Sequence, residues 1–183
     1  MKLNRKTRYT QMVLRDSLIE LMKQKPISKI TITELCEVAD INRSTFYSHY
    51  SDQYALLRTI EDEALTWAKD AISSLQQKTI PAERLKLIES ILQYFAQNEK
   101  HFQILMSEKG DIDFQKQLFA LIYNQLGISP VQGKSNEESK QAMRFIFVVN
   151  GSVGVIRHWL KNGLNMSVTD MADIIYQMAG QAL

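Results

Sequence analysis

Apolar residues recur along this chain at spacings of three and four, the repeat of a helix that buries one face, and strand-like alternation is absent. Leu14, Leu18, Leu21 and Met22 form one such stripe and predict a first helix over residues 7–25. Pro26 disfavours helical geometry at Lys25 and should end it. Two short helices follow within 31–50. A long one is expected from Asp52, its cap, to about Gln77, with Leu56, Ile60, Ala64 and Trp67 on one face. Pro81 suits the first turn of a helix striped by Leu85, Ile88, Leu92 and Phe95. Residues 99–107 and 112–126 read as further helices, separated by the breaker Lys109-Gly110-Asp111. The Gly- and Pro-bearing stretch 127–135 reads as a loop, and Ser135 to Glu138 has capping-box spacing. A helix should then run to Lys161 and stop at Asn162-Gly163, and a last one over 168–181 carries Met171, Ile174, Ile175 and Met178. The expected fold class is all-α with about nine helices, and no internal repeat is visible.

Composition narrows this picture little. Hydrophobic residues make up 45% of the 183, enough for a real core, and 7 Gly and 3 Pro are too few for a loop-rich chain. The single Cys36 excludes a disulfide framework or a Cys-rich zinc site, and no metal or cofactor is expected. No apolar segment reaches the ~20 residues of a membrane span, nor does a signal-peptide core follow the basic start, so a cytoplasmic location is expected. Charge changes more. Residues 1–50 hold nine Lys/Arg against five acids, whereas the rest is slightly acidic. A basic module on a near-neutral body suits a polyanionic partner; a merely solvated charged face fits charge alone equally well.

The segment Thr31–Tyr50 separates those readings. Thr31 and Glu34 have capping-box spacing for a short helix whose inward face is Leu35 and Ala39. Asp40-Ile41 makes a tight turn, and Asn42 is a good N-cap for the next helix. Phe46 and Tyr50, four apart, face inward. Arg43, Ser44, Thr45, Tyr47 and His49 are left on the N-terminal and outer side. Such a helix fits a major groove with its first residues at base edges: Arg43 for bidentate pairing with guanine, Tyr47 and His49 for phosphates. A plain bundle would give no reason for those side chains to gather outward beside a basic arm.

This segment resembles the TetR family of transcriptional regulators over about residues 8–57. The matching residues are Ala39-Asp40-Ile41-Asn42, then Phe46-Tyr47-Ser48-His49-Tyr50, then Ala55-Leu56-Leu57. Asp40 stands where the family usually has a turn Gly, and Gln53 where it usually has a phosphate-binding Lys. The resemblance implies a helix-turn-helix DNA-binding domain over 1–51 and a helical ligand-binding and dimerisation domain over 52–183. It places DNA contacts at Thr31, Thr33, Asn42, Arg43, Ser44, Thr45, Tyr47, His49 and Gln53. It further implies a homodimer, joined through helices 137–161 and 168–181, on a pseudo-palindromic double-stranded operator. A small-molecule effector is expected in the body, with Trp67, Phe95, Phe102, Met106, Tyr123, Phe147 and Asn150 as candidate lining, although an aromatic and Met set at this spacing also makes an ordinary core.

Phe145, Phe147, Val148 and Val149 cover more than one face of the penultimate helix, so burial nearly all round is expected there, with close backbone packing at Gly151 and Gly154. The function expected is a ligand-responsive repressor; an activator or coregulator-dependent regulator acting through a protein partner is the alternative. An enzyme is not expected: the three His and one Cys are far apart in sequence, and no nucleophile elbow, phosphate loop or zinc-protease motif occurs.

Overall fold

The computed structural model describes residues 5–125 and 135–180. Among these residues all regular structure is helical: α1 Arg5–Gln24, α2 Ile32–Ala39, α3 Arg43–Tyr47, α4 Gln53–Gln77, α5 Pro81–Gln97, α6 Glu99–Leu105, α7 Ile112–Gln125, α8 Asn136–Lys161 and α9 Val168–Gly180, with one 3-10 turn at Ile27–Lys29. That turn follows directly from Pro26, which ends α1. The loop expected over 127–135 lies, apart from Ser135, outside the described residues, as does the expected end of the last helix at 181.

Local chemistry sets the helix ends. The Asp52 carboxylate accepts the Ala55 amide at 2.7 Å and starts α4, and Pro81 opens α5. Ser135 and Glu138 form the full capping box: the Ser135 hydroxyl takes the Glu138 amide at 3.2 Å, and the Glu138 carboxylate takes the Ser135 amide at 2.9 Å. The α2 box is only half made. Thr31 accepts the Glu34 amide at 3.2 Å, but the Glu34 carboxylate turns away to the Lys25 ammonium at 2.7 Å. An ion pair offers that carboxylate more than a neutral amide does. The hydrogen bond from Lys25 holds the Glu34 carboxyl below the usual carboxylate range.

The chain falls into two compact units. The first comprises Met1–Ala64 and Ile104–Phe114, the second Leu65–Gln103 and Gln115–Leu183. The first is built on Leu14, Leu18, Ile19 and Met22 of α1, Leu35 of α2, Phe46 of α3 and Leu56 of α4, all essentially without solvent exposure. Leu105 and Phe114 are buried in the same unit. In the second, α5 and α8 both pack on α9, and Leu92, Val149, Trp159, Leu160, Met171 and Ala172 are buried.

Both the turn after α2 and the end of α8 close with left-handed residues. Asp40 has φ 50° and ψ 47°, its amide reaches the Glu37 carbonyl at 3.2 Å, and the Ile41 amide reaches Cys36 at 3.0 Å. This is the two-bond closure for which glycine is preferred. A left-handed non-glycine residue costs roughly 1–2 kcal/mol, so Asp40→Gly should stabilise the chain by about 1 kcal/mol and raise Tm by about 2–4 °C. An unchanged or lower Tm in a thermal melt would show that the Asp40 side chain offsets its own strain. At the end of α8, Gly163 at φ 71° is followed by Leu164 at φ 56°, with the Leu164 amide on the Trp159 carbonyl at 3.1 Å.

Candidate nucleic-acid interface

The geometry of α2 and α3 follows from which residues they bury. Phe46 is fully buried and Tyr50 nearly so, and their rings lie 5.9 Å apart, so the α3 segment is anchored by one face. The opposite side is open. Arg43 and Ser44 are exposed, Thr45 and His49 half-buried, and Tyr47 is 51% exposed while its ring edge meets Phe46 at 5.5 Å. Asn42 caps α3 by accepting the Ser44 amide at 2.9 Å and the Ser44 hydroxyl at 3.0 Å. α3 is short, but helical bonding continues past it: the Ser48 amide reaches Ser44 and the Tyr50 amide reaches Phe46.

The other expected contact positions are accessible as well. Thr31 and Thr33 are exposed at the start of α2, the first with its hydroxyl already used as a cap. Gln53 is half-buried in the first turn of α4. Cys36 is buried; burial pushes its thiol up and the nearby Arg43 charge pulls it down, with burial the stronger. Arg5 and Arg8 lie exposed on the first turn of α1, beside the 64% exposed Tyr9.

A junction between α1 and α4 near the α3 segment is one that the helical periods do not reveal. The Arg15 guanidinium of α1 grips the Glu63 carboxylate of α4 with two bonds, Nη1 to Oε2 at 2.6 Å and Nη2 to Oε1. The buried Tyr50 hydroxyl lies beside that guanidinium. One cation thus ties α1 to α4, with Tyr50 as its neighbour. The pair is largely exposed at Glu63, so it contributes little to stability.

Part of the set of residues expected to line an effector site is seen in mutual contact. Trp67, Phe95 and Phe102 do come together, with Tyr94 as a member the sequence did not single out. Trp67 stacks on Tyr94 at 4.0 Å, and Phe95 meets Phe102 edge-on at 4.4 Å. Tyr123, in the same unit, accepts a hydrogen bond from Asn150 Nδ2 at 2.7 Å. Met106 belongs to the first compact unit. Phe147 points outward at 69% exposure. Asn150 is exposed.

α8 departs from expectation on its outer face. Burial is not all round: Val149, Trp159 and Leu160 are buried, but Met143 is 59% and Phe147 69% exposed. An added Cβ at Gly151 or Gly154 would meet nothing within 4 Å, so the close packing expected at these glycines is not made among the described residues. The sequence pattern was apolar on this face, yet among the described residues Met143 and Phe147 stay largely open to solvent.

Among the described residues, no helix is long and apolar enough to cross a membrane. A family model described as "Transcriptional regulator C-terminal region" matches residues 83–181. A search of curated proteins finds no match. Among solved structures, the chain is similar to the fatty acid degradation regulator FadR of Bacillus halodurans, with a TM-score of 0.66 and 12% identity over 98% of this chain and 96% of that one. It is also similar to FadR of Bacillus subtilis, solved with stearoyl-CoA, with a TM-score of 0.60 and 11% identity over 94% and 98%. The operon activator DhaS matches at 0.52 with 18% identity over 94% and 96%. At these identities the likeness is one of fold.

Proposed function

The chain belongs to the TetR family of transcriptional regulators, and on that premise we propose that it is a homodimeric, ligand-responsive repressor whose α3 reads the major groove of a pseudo-palindromic operator. The observation that carries this reading is the division of α3, with Phe46 and Tyr50 sunk into the core and Arg43, Ser44 and Tyr47 turned to solvent. Arg43 is the direct reader, since a guanidinium pairs bidentately with guanine. Thr31, Thr33, Asn42, Thr45, His49 and Gln53 position the helix against phosphates and neighbouring bases. Residues 1–51 supply the DNA-reading part and 52–183 the effector and dimer functions.

Two copies meet through α8 and α9, across the face left bare at Met143 and Phe147, where Gly151 and Gly154 leave room for a second helix to approach. The effector is a small molecule with an apolar body. The support for it is the half-buried ring group of Trp67, Tyr94 and Phe95 and the acyl-CoA held by the Bacillus subtilis relative. An effector that prefers the state with the reading helices wrongly spaced shifts the dimer off DNA by no more than its differential affinity.

The test is binding of the purified protein to DNA upstream of its own coding sequence, over a salt series. Arg43→Ala should cost about 1–3 kcal/mol at particular base pairs and relax specificity there. Equal loss on every sequence, or none, would remove Arg43 as a reader. Gln53→Lys should add one phosphate contact per protomer, two per dimer, and steepen the log–log salt dependence by about 1.8. An unchanged slope would place Gln53 off the backbone. A second reading, activation with a partner protein, is favoured by Gln53 itself, because one missing charge suits a regulator that needs help to bind. It predicts weak binding by the purified protein that a partner restores.

A further inference from the structure

Glu61 sits where the apolar stripe of α4 would place a hydrophobic residue, between Leu57, Ile60, Ala64 and Ala68, all buried. Its own exposure is 7%, and its Oε1 has no hydrogen-bond partner. A buried ionised carboxylate without a partner is costly, whereas the protonated acid costs far less. The charged groups acting on it are Asp111, from the turn between α6 and α7, and Asp62 and Arg58 of α4 itself. Burial, reinforced by the two neighbouring carboxylates and opposed only by Arg58, pushes the Glu61 carboxyl up to about 7.

The turn that carries Asp111 is held in the first compact unit by more than proximity. Gly110 lies so close to the end of α6 that a Cβ there would stand 2.6 Å from the Ile104 carbonyl oxygen. The Lys109 ammonium donates to the Lys23 carbonyl in the last turn of α1, so the one cation of the turn is spent on α1 rather than on Glu61. Arg15 of α1 is likewise committed to Glu63. Arg58, the cation that does act on Glu61, shares its charge with Asp52 at 4.0 Å, and the buried Glu61 Oε1 is left without a hydrogen bond.

We propose that Glu61 is a proton-operated latch: neutral, it lets the α6–α7 turn close on α4, and ionised, it repels Asp111 and loosens that turn from the DNA-binding unit. The sign follows from linkage. The carboxyl is harder to ionise in the closed form than in an open one, so closure binds a proton and is favoured at low pH. Between pH 6 and 8 the open fraction should rise about tenfold, and above pH 8 little further. The consequence for DNA, which rests on the regulator reading above, is weaker operator binding over the same interval.

The experiment is amide hydrogen exchange of residues 104–114 in the full-length chain at pH 6, 7 and 8, corrected for the intrinsic base-catalysed rate. Glu61→Gln is compared beside the wild type, and the Glu61 carboxyl is titrated by carbon NMR. The expected result is about tenfold faster opening in the wild type from pH 6 to 8, no such rise in Glu61→Gln, and a carboxyl titrating near 7 that moves down in Asp111→Asn. A carboxyl titrating near the ordinary 4.5, or the same corrected pH dependence in both proteins, overturns the latch. The NMR titration decides the matter on its own if Glu61→Gln does not fold. Operator affinity measured on the same samples separates the two readings: a latch that titrates as described, in a protein that binds no DNA at any pH, sinks the regulator reading and leaves the latch standing.

Discussion

Gly110→Ala should lower the midpoint of thermal unfolding by about 6–12 °C. The added Cβ would enter the space of two backbone carbonyls, 2.6 Å from the Ile104 oxygen and closer still to that of Leu105. No real Cβ contact is that short, and neither neighbour is a flexible side chain that can swing away. The end of α6 or the turn itself must move. Overpacking of this kind costs about 3 kcal/mol, and for a chain of this length each kcal/mol corresponds to about 2–4 °C. Helix loss followed by circular dichroism reads the effect. A midpoint within a degree of the wild type would mean that the turn yields without cost, and the close approach would then have no role in holding residues 104–114.

On the proposed α8–α9 pairing, Phe147→Asp should leave a monomer at concentrations where the wild type pairs. Phe147 is the most exposed large apolar residue of the described chain at 69%, and Met143 lies one turn before it at 59%. In a two-fold interface each residue meets its partner's copy of the same surface, so one substitution introduces two carboxylates. A truncated aromatic anchor at the centre of an interface costs about 2 kcal/mol or more, and a desolvated unpaired charge adds to that. Dimer dissociation should therefore become at least about 100-fold easier. Sedimentation would show a species near the 21.1 kDa of one chain in place of one at twice that mass. Operator affinity should fall with it, since a single reading helix engages one half-site. A wild type that sediments as one chain, or a variant that pairs as well as the wild type, would remove α8 as the dimer surface.

How much of this was legible in the sequence depended on whether the deciding interaction was local. Pro26, Asp52, Pro81, Ser135 and Asn162-Gly163 place helix ends because a cap or a missing amide acts within a turn of itself, and α1, α4, α5 and α8 start or stop within a residue or two of where those signals put them. The left-handed turn at Asp40 was legible for the same reason. The reciprocal bond of Glu34 was not, because a residue nine positions away, Lys25, competes for the carboxylate. The Arg15–Glu63 junction spans 48 residues and leaves no trace in any helical period.

The candidate contact face of α3 could be read from the spacing of Phe46 and Tyr50 alone. The effector residues could not, since a stripe says which side of a helix is apolar and not which other helix it meets. Periodicity does not single out Tyr94 beside Phe95, and it does not distinguish the exposed Phe147 and Asn150 from inward positions. Glu61 shows the opposite failure. Its place on the α4 stripe was visible, but a charged residue reads as solvent-facing unless its burial is already known.

Trp67 and Trp159 are the only two tryptophans of the chain, and both fall in the second compact unit. Trp159 is almost wholly shielded, with its indole N–H on the Met166 carbonyl at 2.9 Å, whereas Trp67 is half-open and stacked on a tyrosine. Intrinsic fluorescence excited at the red edge thus watches one half of the molecule through two distinct windows and is blind to the half that carries α1, α2 and α3. A melt recorded by indole emission will report the second unit alone, and its disagreement with a melt recorded by helix content would measure directly how far the two units unfold independently.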